Sequence, residues 1–257
     1  MNEEGYMVIH NILTKEEVTK AKSMFMKWIH KNNLKNGILK DHSGHQQHAW
    51  YIRTNEKVQS VFKKLLNTED IITSFDGSCY MEEDYENTSY WTHVDQNSYN
   101  TDFMCYQSFV SLTENKEKTF ILVPKSHLLY EEYVKMYNIK TNKNFHIIEP
   151  DYMKDKSYVK IHVYPGTMVI WDSRIFHQNT TGNKNNEVRI VQYISFMLKY
   201  HPNNTEENKK KRKYAFENKI TTTHWAYPVR FVSNPSLNTD FDVSLNEYYP
   251  KLLEILN

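Results

Sequence analysis

The sequence predicts a mainly β fold with flanking helices, an antiparallel sandwich or jelly roll. Three observations predict it. From about residue 90 to 200, strand-like runs rich in β-branched and aromatic residues follow one another, separated by turn formers. Helical periodicity is confined to the N-terminal part and to short insertions, so helices flank a sheet core instead of alternating with its strands. A hydrophobic content of 39%, with 14% aromatics, supplies apolar surface for a sizeable core.

Taken in order, Gly5-Tyr6-Met7-Val8-Ile9-His10 is a short strand-like run. Thr14 then stands three residues before Glu17, the capping-box pattern in which a hydroxyl and a carboxylate satisfy two free backbone N–H groups, so a helix opens there. Val18, Ala21, Met24, Phe25, Trp28 and Ile29 recur at helical spacing and give that helix one buried face. Residues 34–50 read as a polar loop containing the tract HSGHQQH, and Val58 to Leu66 as a second short helix. Ile71 to Tyr80 begins the strand-rich part. The clearest later strands are Met104–Leu112, Thr119–Pro124, Tyr158–Val163, Met168–Phe176 and Val188–Leu198, with a helical insertion between Leu128 and Ile139. Past residue 200 the chain turns polar and basic and ends in a helix-like stretch, Pro250 to Leu256.

At 257 residues the chain fits one domain spanning 1–257, its core at about 5–198 and residues 199–257 a C-terminal extension. Charges nearly cancel, 32 basic against 31 acidic residues, so no strong overall field draws the chain to nucleic acid or a membrane surface, and a discrete pocket is expected instead. Cys79 and Cys105 lie in strand-like segments and are expected as buried free thiols. The start, MNEEGYMVIH, lacks the basic and apolar blocks of a signal peptide, and no apolar stretch approaches the ~18 residues of a membrane span. An intracellular, cytoplasmic location follows as an expectation. On the same ground the Asn-x-Ser/Thr sites at Asn87, Asn179 and Asn203 read as chance.

Chemistry concentrates in three places. In a strand, residues i and i+2 share a face, so His93 and Asp95 can reach one ion while Val94 packs behind; the alternative is a surface histidine beside a carboxylate. His177 closes the strongly apolar run Met168–Phe176, where it is either a satisfied structural histidine or a presented ligand. Two histidines and a carboxylate on one face leave three adjacent positions of an octahedral metal open, the arrangement suited to non-haem Fe(II). Arg189 follows twelve residues later. The TTGNKNN stretch between reads as a hairpin turn that returns Arg189 beside the His177 strand, and alternation puts Arg189, Val191, Tyr193 and Ser195 on one inward face. A buried guanidinium needs an anion: either a core carboxylate or a bound dicarboxylate.

With these residues in place, the sequence resembles the phytanoyl-CoA dioxygenase family of Fe(II)/2-oxoglutarate-dependent oxygenases. GYMVIHNILTKEEV, WTHVDQN, FILVPKSH, PGTMVIWDSRIFHQNT and VRIVQYISF carry the likeness, in order, over roughly residues 5 to 198. The resemblance implies a double-stranded β-helix (jelly roll, cupin-like), Fe(II) held by His93, Asp95 and His177, and Arg189 gripping the distal carboxylate of 2-oxoglutarate, with O2 as second cosubstrate. Relatives that halogenate have a small residue in place of the carboxylate ligand, so Asp95 implies hydroxylation, with release of succinate and CO2. AFENKITTTHW in the tail resembles a subgroup of uncharacterised members. The chain departs from the family where Lys125 replaces a usual glycine in Pro124-Lys125-Ser126-His127; either the turn there does not need a positive φ or it is strained.

Secondary candidates complete the reading. Gln107 and Asn179 are placed as further cosubstrate contacts, against a satisfied core glutamine and a turn asparagine. Trp91 and Trp171 are expected to pack. The His42-His45-His48 tract is read as a flexible lid over the pocket, with a second metal site as the alternative, and Lys209–Lys213 (KKKRK) as a solvated surface run. The substrate, a small molecule or a side chain, and the oligomeric state stay open. So do two other classes: a cupin-like metal enzyme that does not use 2-oxoglutarate, and a non-enzymatic binding relative.

Overall fold

The computed structural model describes residues 1–34, 36–182, 186–235 and 249–256. The N-terminal part runs β1 (Tyr6–Ile9), α1 (Lys15–Asn32), β2 (Gly37–Leu39), α2 (Gln47–Arg53), α3 (Glu56–Leu66), β3 (Ile71–Thr73) and β4 (Ser78–Met81). The central part follows as β5 (His93–Val94), β6 (Tyr106–Ser111), β7 (Asn115–Leu122), α4 (Tyr130–Met136), β8 (His146–Ile147), β9 (Val159–Val163) and β10 (Met168–Asp172). Then come β11 (His177–Asn179), β12 (Arg189–Ile194), β13 (Phe196–Leu198), α5 (Glu206–Glu217) and α6 (Tyr249–Leu256).

A six-stranded sheet, β1-β10-β6-β12-β4-β2, and a five-stranded sheet, β8-β5-β11-β7-β9, form the two layers of a jelly roll, and every strand pairing is antiparallel. Period-2 alternation sorts the side chains between the two faces of the larger sheet. Cys79, Phe109, Val169, Trp171 and Val191 point inward and meet Phe120, Leu122, Ile161 and Val163 of the smaller sheet. Their strand neighbours Tyr80, Val110, Met168, Ile170 and Ile190 point outward and are covered by Val18, Ala21, Phe25 and Ile29 of α1, Ile52 of α2, and Val58 and Phe62 of α3. Each fully buried large apolar side chain contributes ~1.5–3 kcal/mol relative to exposure. The α1 helix opens as its sequence requires: Glu17 N–H donates to Thr14 Oγ1 (3.2 Å) and Thr14 N–H to Glu17 Oε2 (2.7 Å).

Several boundaries differ from the sequence expectation. Residues 34–50 are not a loop: they hold β2, a 3-10 turn at Ser43–His45 and the start of α2. The Ile71–Tyr80 strand is split because Phe75 leaves the ladder: its N–H donates to Thr222 Oγ1 (2.9 Å) and its carbonyl accepts from Thr222 N–H (2.9 Å). The Val188–Leu198 run is likewise two strands, broken at Ser195, whose hydroxyl donates to Tyr106 O. Instead of starting at Thr119, β7 begins at Asn115. The Met168–Phe176 strand stops at Asp172, whose carboxylate accepts from Arg174 N–H and the Arg174 guanidinium and folds the chain into a turn. His177 therefore opens β11 and does not close β10.

The expected hairpin return of Arg189 is also corrected. Residues 183–185 of that stretch lie outside the described residues, but β11 belongs to the five-stranded sheet and β12 to the six-stranded one. The chain crosses between layers, so Arg189 lies in the opposite sheet from His177 and not on a neighbouring strand. Alternation of Arg189, Val191 and Tyr193 toward the interior holds; Ser195 falls at the break. Cys79 and Cys105 are free and buried. Lys125 has φ +66°, the left-handed region that costs a residue with a Cβ roughly 1–2 kcal/mol, so its turn is the strained alternative. Among the described residues, no helix is long and apolar enough to cross a membrane.

Candidate functional site

Pairing of β5 with β11 sets His93 directly opposite His177, their rings 4.3 Å apart between centroids. Asp95 follows just past the two-residue β5, held by its N–H to Ser173 O (3.2 Å), while Val94 is buried behind it. Asp95 Oδ2 lies 3.7 Å from His93 Nε2 and 3.4 Å from His177 Nε2, and the three ligand atoms fall within 4.8 Å of one another. Adjacent vertices of an octahedron with ~2.1 Å bonds are ~3 Å apart, so these three atoms can hold one face of a metal. Each imidazole is oriented from behind. His93 Nδ1 pairs with Trp91 O (2.9 Å) and His177 Nδ1 with Ile175 O (2.8 Å), which fixes the proton on Nδ1 and turns the Nε2 lone pair to the metal position. Trp91 stacks on His93 at 4.8 Å, so it packs as expected, and its indole N–H donates to Asn179 O.

The electrostatics agree with a cation site. Burial alone would raise the Asp95 carboxyl, but the charges and hydrogen bonds of His93 and His177 hold it well below its usual range. Burial, then the charge of His93, lowers His177 and favours the neutral ligand form.

A cavity of about 400 Å³ opens on the triad. Gln107, Trp171, Asn179 and Tyr193 line it, and Arg189 sits fully buried beyond Tyr193 and is not itself a lining residue. Arg189 Nη1 donates to Cys79 Sγ (3.6 Å) and its guanidinium lies 5.4 Å from the Phe109 ring, whereas Nε and Nη2 have no partner among the described residues. Gln107 Nε2, Trp171 Nε1 and Asn179 Oδ1 are likewise buried and unpartnered, with Asn179 Nδ2 donating to Tyr193 Oη (3.0 Å). The buried guanidinium and the open Gln107 and Trp171 donors match an acidic chelating ligand, since each such atom costs ~1–3 kcal/mol while unsatisfied, whereas the open Asn179 Oδ1 is an acceptor.

Other expectations fail here. The histidine tract is neither lid nor metal site: His45 and His48 are fully buried, and His42, His45 and His48 bond to Lys219 O, Ile220 O and Ser78 Oγ. Burial first, then the charge of Arg53, lowers His48 to about 3 and keeps it neutral. The KKKRK run is solvated only in part: Lys209 and Lys211 pair with Glu206 and Glu207 on their own helix, but Arg212 is buried and donates to Leu256 O, Asn204 Oδ1 and Ala226 O.

Sequence reasoning missed Asp76, Asn144 and the Thr221–His224 segment, all of which line the cavity. The tail is thus a wall of the site. Its signal in the sequence was the stretch AFENKITTTHW, read there only as a resemblance.

A jelly roll with two histidines and a carboxylate facing one cavity defines a cupin-like fold with a candidate metal site. The chain belongs to the phytanoyl-CoA dioxygenase (PhyH) family, which matches over residues 1–191. That family is one of oxygenases working with iron, 2-oxoglutarate and O2. The chain is 28% identical over 208 residues to Ava biosynthesis cluster protein O of Aspergillus versicolor, covering 74% of this chain. It spans 65% of that curated relative's length and about half, 51%, of a second in Dictyostelium discoideum. Among solved structures it is similar to the α-ketoglutarate-dependent carbocyclase SnoK from nogalamycin biosynthesis, with TM-score 0.59, 16% identity, and coverage of 76% of this chain and 81% of the other. It is also similar to HygX of Streptomyces hygroscopicus, with nickel and 2-oxoglutarate bound, with TM-score 0.58, 10% identity, and coverage of 77% and 84%.

Proposed function

We propose that the chain is an Fe(II)- and 2-oxoglutarate-dependent dioxygenase that hydroxylates an organic substrate. His93, Asp95 and His177 hold the metal, Arg189 pairs with the distal carboxylate of 2-oxoglutarate, and Gln107 donates to the cosubstrate beside it, as Asn179 does once its amide turns from Tyr193. The observation that carries this reading is the combination of a three-ligand face with a fully buried guanidinium whose Nε and Nη2 have no partner. When bound, the iron and cosubstrate supply the oxidation of a C–H bond by O2, with succinate and CO2 as coproducts.

The chain's own residues do the rest. The Nδ1 bonds to Trp91 O and Ile175 O orient the imidazoles, and Asp95 stays anionic. Phe120 and Trp171, 5.2 and 5.5 Å from the His177 ring, keep water from that side. Hydroxylation is favoured over halogenation because Asp95 occupies the position that a halide would need. The similarity to the carbocyclase SnoK keeps other oxidations of the same kind as the second reading. The packing of the Thr221–His224 segment against Phe75 and Gly44 supports one domain that includes the extension.

The test is succinate release coupled to O2 uptake, measured with Fe(II) present and absent. The reading requires iron dependence and its loss in Asp95→Ala; unchanged 2-oxoglutarate turnover in that variant would show the ligand assignment to be wrong.

A further inference from the structure

The cavity has a second side that the cosubstrate reading leaves unused. It is built by Asp76, Asn144, Thr223 and His224, with Ile38 and Phe145, each 44% exposed, at its rim. His224 is only 7% exposed and its Nε2 has no partner among the described residues, while its ring interacts with the Asp95 backbone beside the triad. Thr223 Oγ1 and Asn144 Nδ2 are also buried and unpartnered, the Asn144 carbonyl being taken by Asn97 Nδ2 (3.0 Å). Asp76 Oδ1 accepts from Gly77 N–H (2.8 Å), and Oδ2 has no hydrogen bond among the described residues.

Two cations act on Asp76 at a distance. Arg53 is buried behind it and spends Nη1 on Gly44 O, and Lys40 is exposed on the cavity wall, where water screens it. Among the described residues neither bonds to the carboxylate. An acyl chain here would leave four polar groups unsatisfied, and an anionic head would face the Asp76 carboxylate. A group that donates hydrogen bonds satisfies Asp76 Oδ2, Thr223 Oγ1 and a neutral His224 Nε2, and a hydroxyl oxygen also accepts from Asn144 Nδ2, which can only donate.

We propose that Asp76, with Thr223 and His224 beside it, is the substrate-recognition subsite, and that it takes a small organic substrate through an amino or hydroxyl group while the apolar body lies against Ile38 and Phe145. This rests on the dioxygenase reading for the word substrate. A 400 Å³ cavity lies in the lower part of the usual range for small-molecule sites, ~300–1,000 Å³, which fits a compact ligand.

Three probes with one ring body and different heads test it: cyclohexylamine, cyclohexanol and cyclohexanecarboxylate, titrated by ligand-observed NMR. Titrations are run at about pH 8.5, where Asp76 is ionised and the amine still protonated, on the chain with Ni(II) and 2-oxoglutarate and again on the metal-free chain. The amine is expected to bind at least about tenfold tighter than the carboxylate, the equivalent of one charge-assisted hydrogen bond. Asp76→Asn, which keeps the shape, should abolish that preference and leave cyclohexanol within about threefold. Thr223→Val gives an independent readout, weakening amine and alcohol alike and sparing the carboxylate. Equal affinity for all three heads, no binding of amine or alcohol, or a preference that survives Asp76→Asn overturns the proposal. Head-group selectivity in a chain that binds no 2-oxoglutarate would instead overturn the dioxygenase reading and leave the subsite standing.

Discussion

Replacing Arg189 by methionine removes a charge that the protein itself does not neutralise. Arg189 is fully buried, and among the described residues two of its guanidinium nitrogens have no partner, while Nη1 makes a long bond to Cys79 Sγ and the guanidinium lies over the Phe109 ring. The lost ring contact is worth ~0.5–2 kcal/mol, and relieving the unsatisfied nitrogens returns ~1–3 kcal/mol each. The ligand-free variant should therefore be as stable as the wild type or more so by about 1–4 kcal/mol, as found when buried ions give way to apolar side chains of similar volume. With 2-oxoglutarate the order reverses. At about 100 times its dissociation constant, the cosubstrate stabilises the wild type by ~2.7 kcal/mol. Loss of a bidentate charged pair weakens affinity ~100-fold, so at that same concentration Arg189→Met gains only ~0.4 kcal/mol. Thermal unfolding with Ni(II), which avoids turnover, should show a ligand shift of roughly 5–10 °C in the wild type and about 1 °C in the variant. A ligand-free variant destabilised by more than about 3 kcal/mol would mean that the guanidinium has its partner inside the protein. Equal ligand shifts would refute the pairing with 2-oxoglutarate.

Other outcomes follow from single groups. Burial raises Asp76 to about 7, above the ordinary 3.8, so between about pH 4 and pH 7 the native state binds more protons than the unfolded chain and loses stability as pH rises; Asp76→Asn should flatten that slope in urea unfolding, and an unchanged slope would assign it elsewhere. Lys125→Gly relieves a φ of +66° and, after the entropy that glycine costs, should stabilise by about 0.5–1 kcal/mol, whereas a loss would show that the Lys125 side chain matters more than its backbone. Arg212→Met leaves the Leu256 and Ala226 carbonyls without their donor and should cost about 3 kcal/mol in chemical denaturation, while Lys210→Ala on the same helix should change stability by less than about 0.5 kcal/mol; equal effects would mean that the whole run acts as one surface. Phe25→Ala empties a fully buried position against His48 and Tyr80 and should cost ~3–5 kcal/mol.

Local chemistry was readable without coordinates wherever it depends on neighbours in the chain. The Thr14–Glu17 box, the α1 face of Val18, Ala21, Phe25 and Ile29, and the inward alternation of Arg189, Val191 and Tyr193 all follow from the 3.6 and 2.0 periodicities. His93, Asp95 and His177 were legible as a ligand set because their spacing matches a family pattern, and the structure brings them within 4.8 Å. What failed depended on partners far away in sequence. The histidine tract looked polar and mobile, yet His45 is fixed by a carbonyl 175 residues away, and no local pattern reports such a bond.

The three-ligand face was thus set by the sequence alone, since two strands carrying His93 and His177 need only pair for the site to form. The tertiary structure decided which layer carries Arg189, because a crossover between sheets and a hairpin within one share the same local signals. It also decided what closes the cavity. Thr222 partners the Phe75 backbone, its hydroxyl accepting from the Phe75 N–H and its N–H donating to the Phe75 carbonyl, and these hydrogen bonds over 147 residues bring the polar tail to the candidate metal site.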